Sequence, residues 1–153
     1  MRPLTQALLP KVPLYIRWSG WMNNRRNSQA YEALLAEREP AEVMDIWWRE
    51  TLLEPTTVQK VLDTIGENLG WKHPLFIPQD EWRVVLKLWW SGFFSGGMEQ
   101  ECCIWTIENI FGRKYPLSEL PTMTEKTLGQ FLEILRTGEP IRPGFPYHWI
   151  LPD

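Results

Sequence analysis

The chain carries little of what catalysis or covalent bracing needs. Its 153 residues include two histidines, His73 and His148, and two cysteines, Cys102 and Cys103. The cysteines are adjacent, and neighbouring residues rarely bridge because the geometry is strained. No disulfide framework follows from them. On a helix the two point about 100° apart, and no second ligand cluster accompanies them, so the spacing of a zinc site is missing. Cys103 belongs to an apolar helix face, where a cysteine is inert packing. His73 precedes a proline in a turn, and the sequence gives no base for a nucleophile. Ser95-Gly96-Gly97 lacks the lysine and the further glycine of a phosphate-binding loop. No apolar run nears the ~20 residues of a membrane span. Met1-Arg2-Pro3-Leu4 opens without the apolar stretch of a secretion signal, and Pro10 and Pro13 break up the weak apolar patch there. The expectation is a cytoplasmic protein with no metal, no cofactor, no catalytic residues and no membrane contact.

Aromatic residues, by contrast, are abundant. They make up 13% of the chain, with ten tryptophans, and 44% of residues are hydrophobic. That is ample for a core at this length. Most tryptophans belong in it, because each buries a large area. An exposed one would mark an interface. Net charge is −3, but the charges are unevenly placed. Residues 1–27 hold Arg2, Lys11, Arg17, Arg25 and Arg26 and no acid. Residues 28–55 hold Glu32, Glu37, Glu39, Glu42, Asp45, Glu50 and Glu54 against Arg38 and Arg49. Such an acidic stretch is either a solvated face or a surface that speeds association with a basic partner. An acidic chain with one short basic arm does not suit nucleic-acid binding.

The apolar spacing predicts a mainly α protein: a small helical bundle with irregular N- and C-terminal extensions and room for one short strand pair. A single domain spans 1–153. It is read as an arm (1–27), a helical pair (28–54), a helical core (56–136) and a tail (137–153). The polar run Asn23–Asn27 reads as a loop, and Ser28 as the N-cap of a helix that ends before Pro40. Pro40 suits the first position of the next helix, with an apolar stripe of Val43, Met44, Trp47 and Trp48 up to about Leu53. Pro55-Thr56 opens the clearest helix. Thr56 and Gln59 have capping-box spacing, Val58, Val61, Leu62, Ile65 and Leu69 share one face, and Gly70 stops it. Residues 82–90 are helix or strand, and periodicity does not decide. A helix from Met98 to Phe111 stops at Gly112. Thr124 is read as the cap of a last helix through Leu128, Phe131, Leu132 and Leu135, closed by Gly138. The proline-rich tail is expected to pack through Phe145, Tyr147 and Trp149.

Ile107-Glu108-Asn109-Ile110-Phe111-Gly112, the connector with Pro116, Leu117 and Leu120, and Met123–Phe131 together resemble the second half of an acyl-carrier-protein domain. The helix after Thr56 would be its first, so the resemblance covers about 80 of 153 residues. It implies a carrier-like bundle whose acidic second helix, here with Glu99, Glu101 and Glu108, meets basic patches on partners. The family's Asp-Ser-Leu motif falls on Gly96, Gly97 and Met98. Glycine has no hydroxyl for a phosphopantetheine arm, so carrier activity does not carry over.

The functional expectation is a non-catalytic protein-binding protein. The leading form is an inhibitor of the bacterial immunity kind, as in contact-dependent growth inhibition, which covers the basic active-site region of one cognate toxin such as a nuclease. Glu37, Glu39, Glu42 and Asp45, with Glu99 and Glu101 at the glycine tip, are the partner-binding candidates. The alternatives are a carrier-like accessory module in acyl-chain metabolism and an unrecognised enzyme. The last requires a concave pocket with perturbed titratable groups.

Overall fold

Apolar residues at helical spacing, punctuated by proline and glycine, divide the chain into short helices. A computed structural model describes residues 1–8, 20–89 and 97–141, with the backbone alone described at 20–24. The helices are α1 (Gly20–Ala36), α2 (Pro40–Glu42), α3 (Pro55–Leu69), α4 (Trp82–Val85), α5 (Met98–Phe111) and α6 (Leu128–Arg136). A π-type turn, Val43–Trp47, extends α2, and 3-10 turns cover Gln6–Leu8 and Leu117–Glu125. Strands β1 (Arg113–Lys114) and β2 (Glu139–Pro140) pair antiparallel, with Arg113 opposite Pro140 and Lys114 opposite Glu139. Among the described residues the chain is therefore mainly helical with one short strand pair, as expected.

The two central helices follow the sequence closely. Pro55 occupies the first turn of α3, where its missing N–H has no partner to lose. Val58, Val61, Leu62, Ile65 and Leu69 are all buried, each contributing about 1.5–3 kcal/mol of transfer free energy. Gly70 and Gly112 stop α3 and α5 in the left-handed region, at φ 72° and 63°, where a Cβ is strained. α3 packs mainly on α5, and α6 lies against α4, α5 and β1. Trp82, Phe131 and Tyr115 stack in series at centroid distances of 4.4 and 5.0 Å, joining α4, α6 and the segment after β1.

Four local readings need correction. The Asn23–Asn27 run is helical, since α1 starts at Gly20 and Ser28 lies inside it rather than capping it. Burial of Asn27, Tyr31 and Leu35 on this helix outweighs the low helix propensity of asparagine. The helix after Pro40 does not continue to Leu53 but ends at Trp47. The first residue of α3 is capped without a side-chain hydrogen bond from Thr56, because Glu54 is the N-cap. The last helix is capped by Thr127, not Thr124: the Thr127 hydroxyl accepts from the Gln130 amide, and the Gln130 side chain accepts from the Thr127 amide. Thr124 is buried in the 3-10 segment instead.

Within the ambiguous stretch 82–90, the described residues 82–89 form neither a strand nor a long helix. After the single turn α4, Lys87 takes a left-handed backbone (φ 58°) and its ammonium lies 4.5 Å over the Trp71 ring. The Trp71 indole donates to the Val85 carbonyl at 2.9 Å. Leu86, Leu88 and Trp89 are buried through turns. The N-terminal arm reaches the core: Leu4 is buried, and its carbonyl accepts from the Glu81 amide at 3.0 Å. Residues 90–96, the glycine-rich tip before Gly97, and the tail from 142 lie outside the described residues.

Candidate functional site

The acidic segment takes its character from where its bases go. The turn between α1 and α2 directs Arg38 inward. Its guanidinium donates to both oxygens of Asp80, at 2.6 and 3.0 Å, and to the carbonyls of Leu75 and Arg2, each at 3.0 Å. Asp80 is fully buried and also accepts from the amides of Leu4 (2.7 Å) and Ile77 (2.8 Å). Burial pushes the Asp80 carboxyl up, and the Arg38 guanidinium and the two amides oppose that shift. This hub ties the arm, the first turn and the 75–80 loop together. Its consequence outside is that Arg38 no longer offsets its acidic neighbours.

Six acids remain on residues 37–54 (Glu37, Glu39, Glu42, Asp45, Glu50, Glu54) against one exposed base, Arg49. Glu37, Glu39 and Asp45 are exposed, and Glu42 is half-buried. Among the described residues, none of them joins an ion pair. Ile46 and Leu52, 56% and 78% exposed, lie in the same segment, and Trp47 beside them is half-buried with an unpartnered indole N–H. Glu37 and Glu42 line one depression with Arg2 and Leu34, and Asp45 lines another with Met44 and Arg49. The structure thus keeps the first four candidates on one stretch of chain, with Glu37 and Glu42 on one hollow, Asp45 on another and Glu39 on neither.

The second candidate group separates. Residues 99 and 101 differ by about 200° around a helix. Glu101 lines a cleft on α5, whereas Glu99 acts electrostatically on Lys87, the half-buried lysine whose pKa burial lowers. Glu108, expected on the same acidic face, is buried. Its Oε2 accepts from the Tyr115 amide at 2.8 Å, bracing the chain just after Gly112 has ended α5.

The cleft itself, about 250 Å³, lies between α5 and the Leu117–Glu125 segment. Ile104, Trp105, Leu117, Leu120 and Met123 supply its apolar wall. Glu101, Glu108, Lys114 and Tyr115 are its polar members. Burial pushes the Glu108 carboxyl up to about 6, against the Tyr115 amide and the Lys114 charge. Burial, with a contribution from Glu119, raises the Tyr115 hydroxyl to about 12. This site was not anticipated. Its sequence signal is Glu101, Ile104, Trp105 and Glu108 at helical spacing, which reads equally well as an amphipathic face.

Burial drives the Cys103 thiol up to about 12, so it is no thiolate. His73 lies 3.4 Å from Glu32, which also accepts from the His73 amide. Among the described residues there is no cluster of three or more metal-ligating side chains, and no helix is long and apolar enough to cross a membrane. No protein-family model matches the sequence, and neither the curated proteins nor the solved structures contain a significant match.

Proposed function

We propose that this is a non-catalytic binding protein whose acidic segment, residues 37–54, docks on one basic protein partner. One observation carries the reading. Burying Arg38 against Asp80 leaves residues 37–54 with six acids and one exposed base, on the same segment as the exposed side chains of Ile46 and Leu52. Unpaired acids on a segment that also exposes apolar side chains are what a charge-steered interface needs. The acids speed encounter, and the desolvated centre supplies affinity. An inhibitor that covers the basic active-site region of a cognate toxin, in the manner of a bacterial immunity protein in the cytoplasm, is the form that best fits this surface.

The test is stoichiometric co-purification from the native host, followed by affinity and salt dependence for the purified pair. A single basic partner that is toxic when expressed alone is the expected result. Glu37→Lys with Asp45→Lys should then weaken the complex at least about tenfold at low salt and flatten its salt dependence. Glu99→Lys with Glu101→Lys should change it little. A complex that binds the first double variant as tightly as the wild type would sink the assignment of this surface.

A further inference from the structure

The α5 cleft carries a second, independent reading. Glu108 reaches it as a buried carboxylate with only one oxygen bonded to protein, the 2.8 Å contact from the Tyr115 amide. Among the described residues its other oxygen has no hydrogen-bond donor. Tyr115 lines the same cleft, is 3% exposed, and has a hydroxyl with no hydrogen-bond partner. Its ring is held by stacking on Phe131, so it cannot readily turn to find one. Buried polar groups are ordinarily satisfied, so the unpartnered Tyr115 hydroxyl, in the same apolar hollow as the Glu108 carboxylate, points to a missing third party. The wall opposite is open: Leu117 is 68% exposed, and Leu120 41%.

We infer that this cleft binds a small organic amine, with its apolar body against Trp105, Leu117 and Met123 and its ammonium seated on Glu108. Charge selects the class. Glu101 and Glu108 outnumber Lys114, so one negative charge is left over and an anionic ligand is repelled. The apolar wall excludes a bare inorganic cation, which has no surface to place there. Size narrows it further. About 250 Å³ falls below the roughly 300–1,000 Å³ of drug-sized pockets, which fits a single-ring amine rather than a long chain. Apart from Glu101, the cleft shares no residue with the acidic candidates, so this inference and the protein-binding reading stand or fall separately.

The experiment titrates benzylamine, benzyl alcohol and benzoate into the full chain at neutral pH. Calorimetry gives affinity, and the amide resonance of Tyr115, whose N–H is held by Glu108, reports the site. Benzylamine is expected to shift that resonance saturably and to bind most tightly. Glu108→Gln keeps an acceptor for the Tyr115 amide, and it should weaken benzylamine about tenfold or more, the effect of losing one charge-assisted hydrogen bond. Benzyl alcohol should be unaffected by that change. Leu117→Lys alters an exposed position on which the interior does not depend. It should weaken benzylamine and leave benzoate binding equal or stronger. Benzoate binding as well as benzylamine, or no saturable shift at Tyr115 with the amine, overturns the inference.

Discussion

Replacing Asp80 with asparagine tests the central joint of the fold. The change keeps side-chain size and one carbonyl oxygen but removes the charge facing Arg38. In the native protein Asp80 is fully buried and accepts four hydrogen bonds: two from Arg38 (2.6 and 3.0 Å), one from Leu4 (2.7 Å) and one from Ile77 (2.8 Å). Asparagine offers a single acceptor oxygen, and its amino group would meet at least one of these donors head-on. Arg38, whose side chain is 5% exposed, would remain a buried cation without a counter-charge. Breaking a buried pair by removing one partner costs about 3–5 kcal/mol. At ~2–4 °C per kcal/mol for a chain of this size, the melting midpoint should fall by about 6–20 °C. Calorimetry and urea titration measure it. Adding Arg38→Met removes the stranded cation and should recover part of the loss, giving a coupling that is not additive. An Asp80→Asn protein within about 1 kcal/mol of wild type, or a double variant worse than the sum of the two singles, would refute the hub.

Three smaller perturbations follow from the same geometry. A Cβ at Gly138 would fall 2.0 Å from the Lys114 carbonyl oxygen, so Gly138→Ala should cost about 1–3 kcal/mol or more by overpacking and speed hydrogen exchange at the Ile141 amide, which donates to Gly112 across the strand pair. Iodoacetamide should modify the half-buried Cys102 in the native protein and leave the buried Cys103 unmodified until denaturant is added, as peptide mass mapping would show. Glu108 should make stability fall as pH rises. Its folded-state pKa is raised by burial from 4.5 to about 6, so its favourable protonated form is complete below the unfolded value and is lost as pH climbs through the folded one. Between about pH 4 and pH 7 the wild type should lose about 2 kcal/mol relative to Glu108→Gln. Glu101, Lys114 and Tyr115 line the same cleft, Glu119 acts on Tyr115, and all four are common to both proteins; parallel urea curves for the two would contradict the assignment.

The legible parts of the fold were those in which local signals agree. α3 and α5 combine an apolar face with a glycine stop, and their limits follow directly from Pro55, Gly70, Met98 and Gly112. The failures occur where tertiary contacts override local preference. Asn27 enters a helix because that helix buries Tyr31 and Leu35. Thr124 and Thr127 are equally plausible caps by composition. Only the bridge between Glu81 and Thr127, with the Leu128 amide donating to the Asp80 carbonyl at 2.8 Å, fixes where α6 begins. The site followed the same rule. The exposed acids were readable from charge density, whereas the inward turn of Arg38 depends on Asp80, forty-two positions away in the chain, and no local pattern announces it. Glu108 was misread for the converse reason: its spacing from Glu101 fits an acidic face, but the Tyr115 amide claims it.

The tryptophans extend this argument from fold to function. A chain with ten of them invites the idea that some anchor a partner, yet none of the six with described side chains is exposed. Trp48, Trp71, Trp82 and Trp89 are buried. Two of them stitch the irregular 71–89 region to the core, Trp48 by donating to the Phe76 carbonyl at 2.8 Å and Trp71 by donating to the Val85 carbonyl. These indoles do for a turn-rich segment what a regular ladder would otherwise do: they satisfy carbonyls while filling volume. The two half-buried ones are Trp47, beside the exposed Ile46 in the acidic segment, and Trp105, on the wall of the α5 cleft. Tryptophan is the side chain whose truncation most often costs binding energy. Trp47→Ala should therefore act on the protein complex and Trp105→Ala on amine binding, with neither affecting the other. If both changes weakened both activities, the two surfaces would be one site, and the separation drawn between the acidic segment and the cleft would fail.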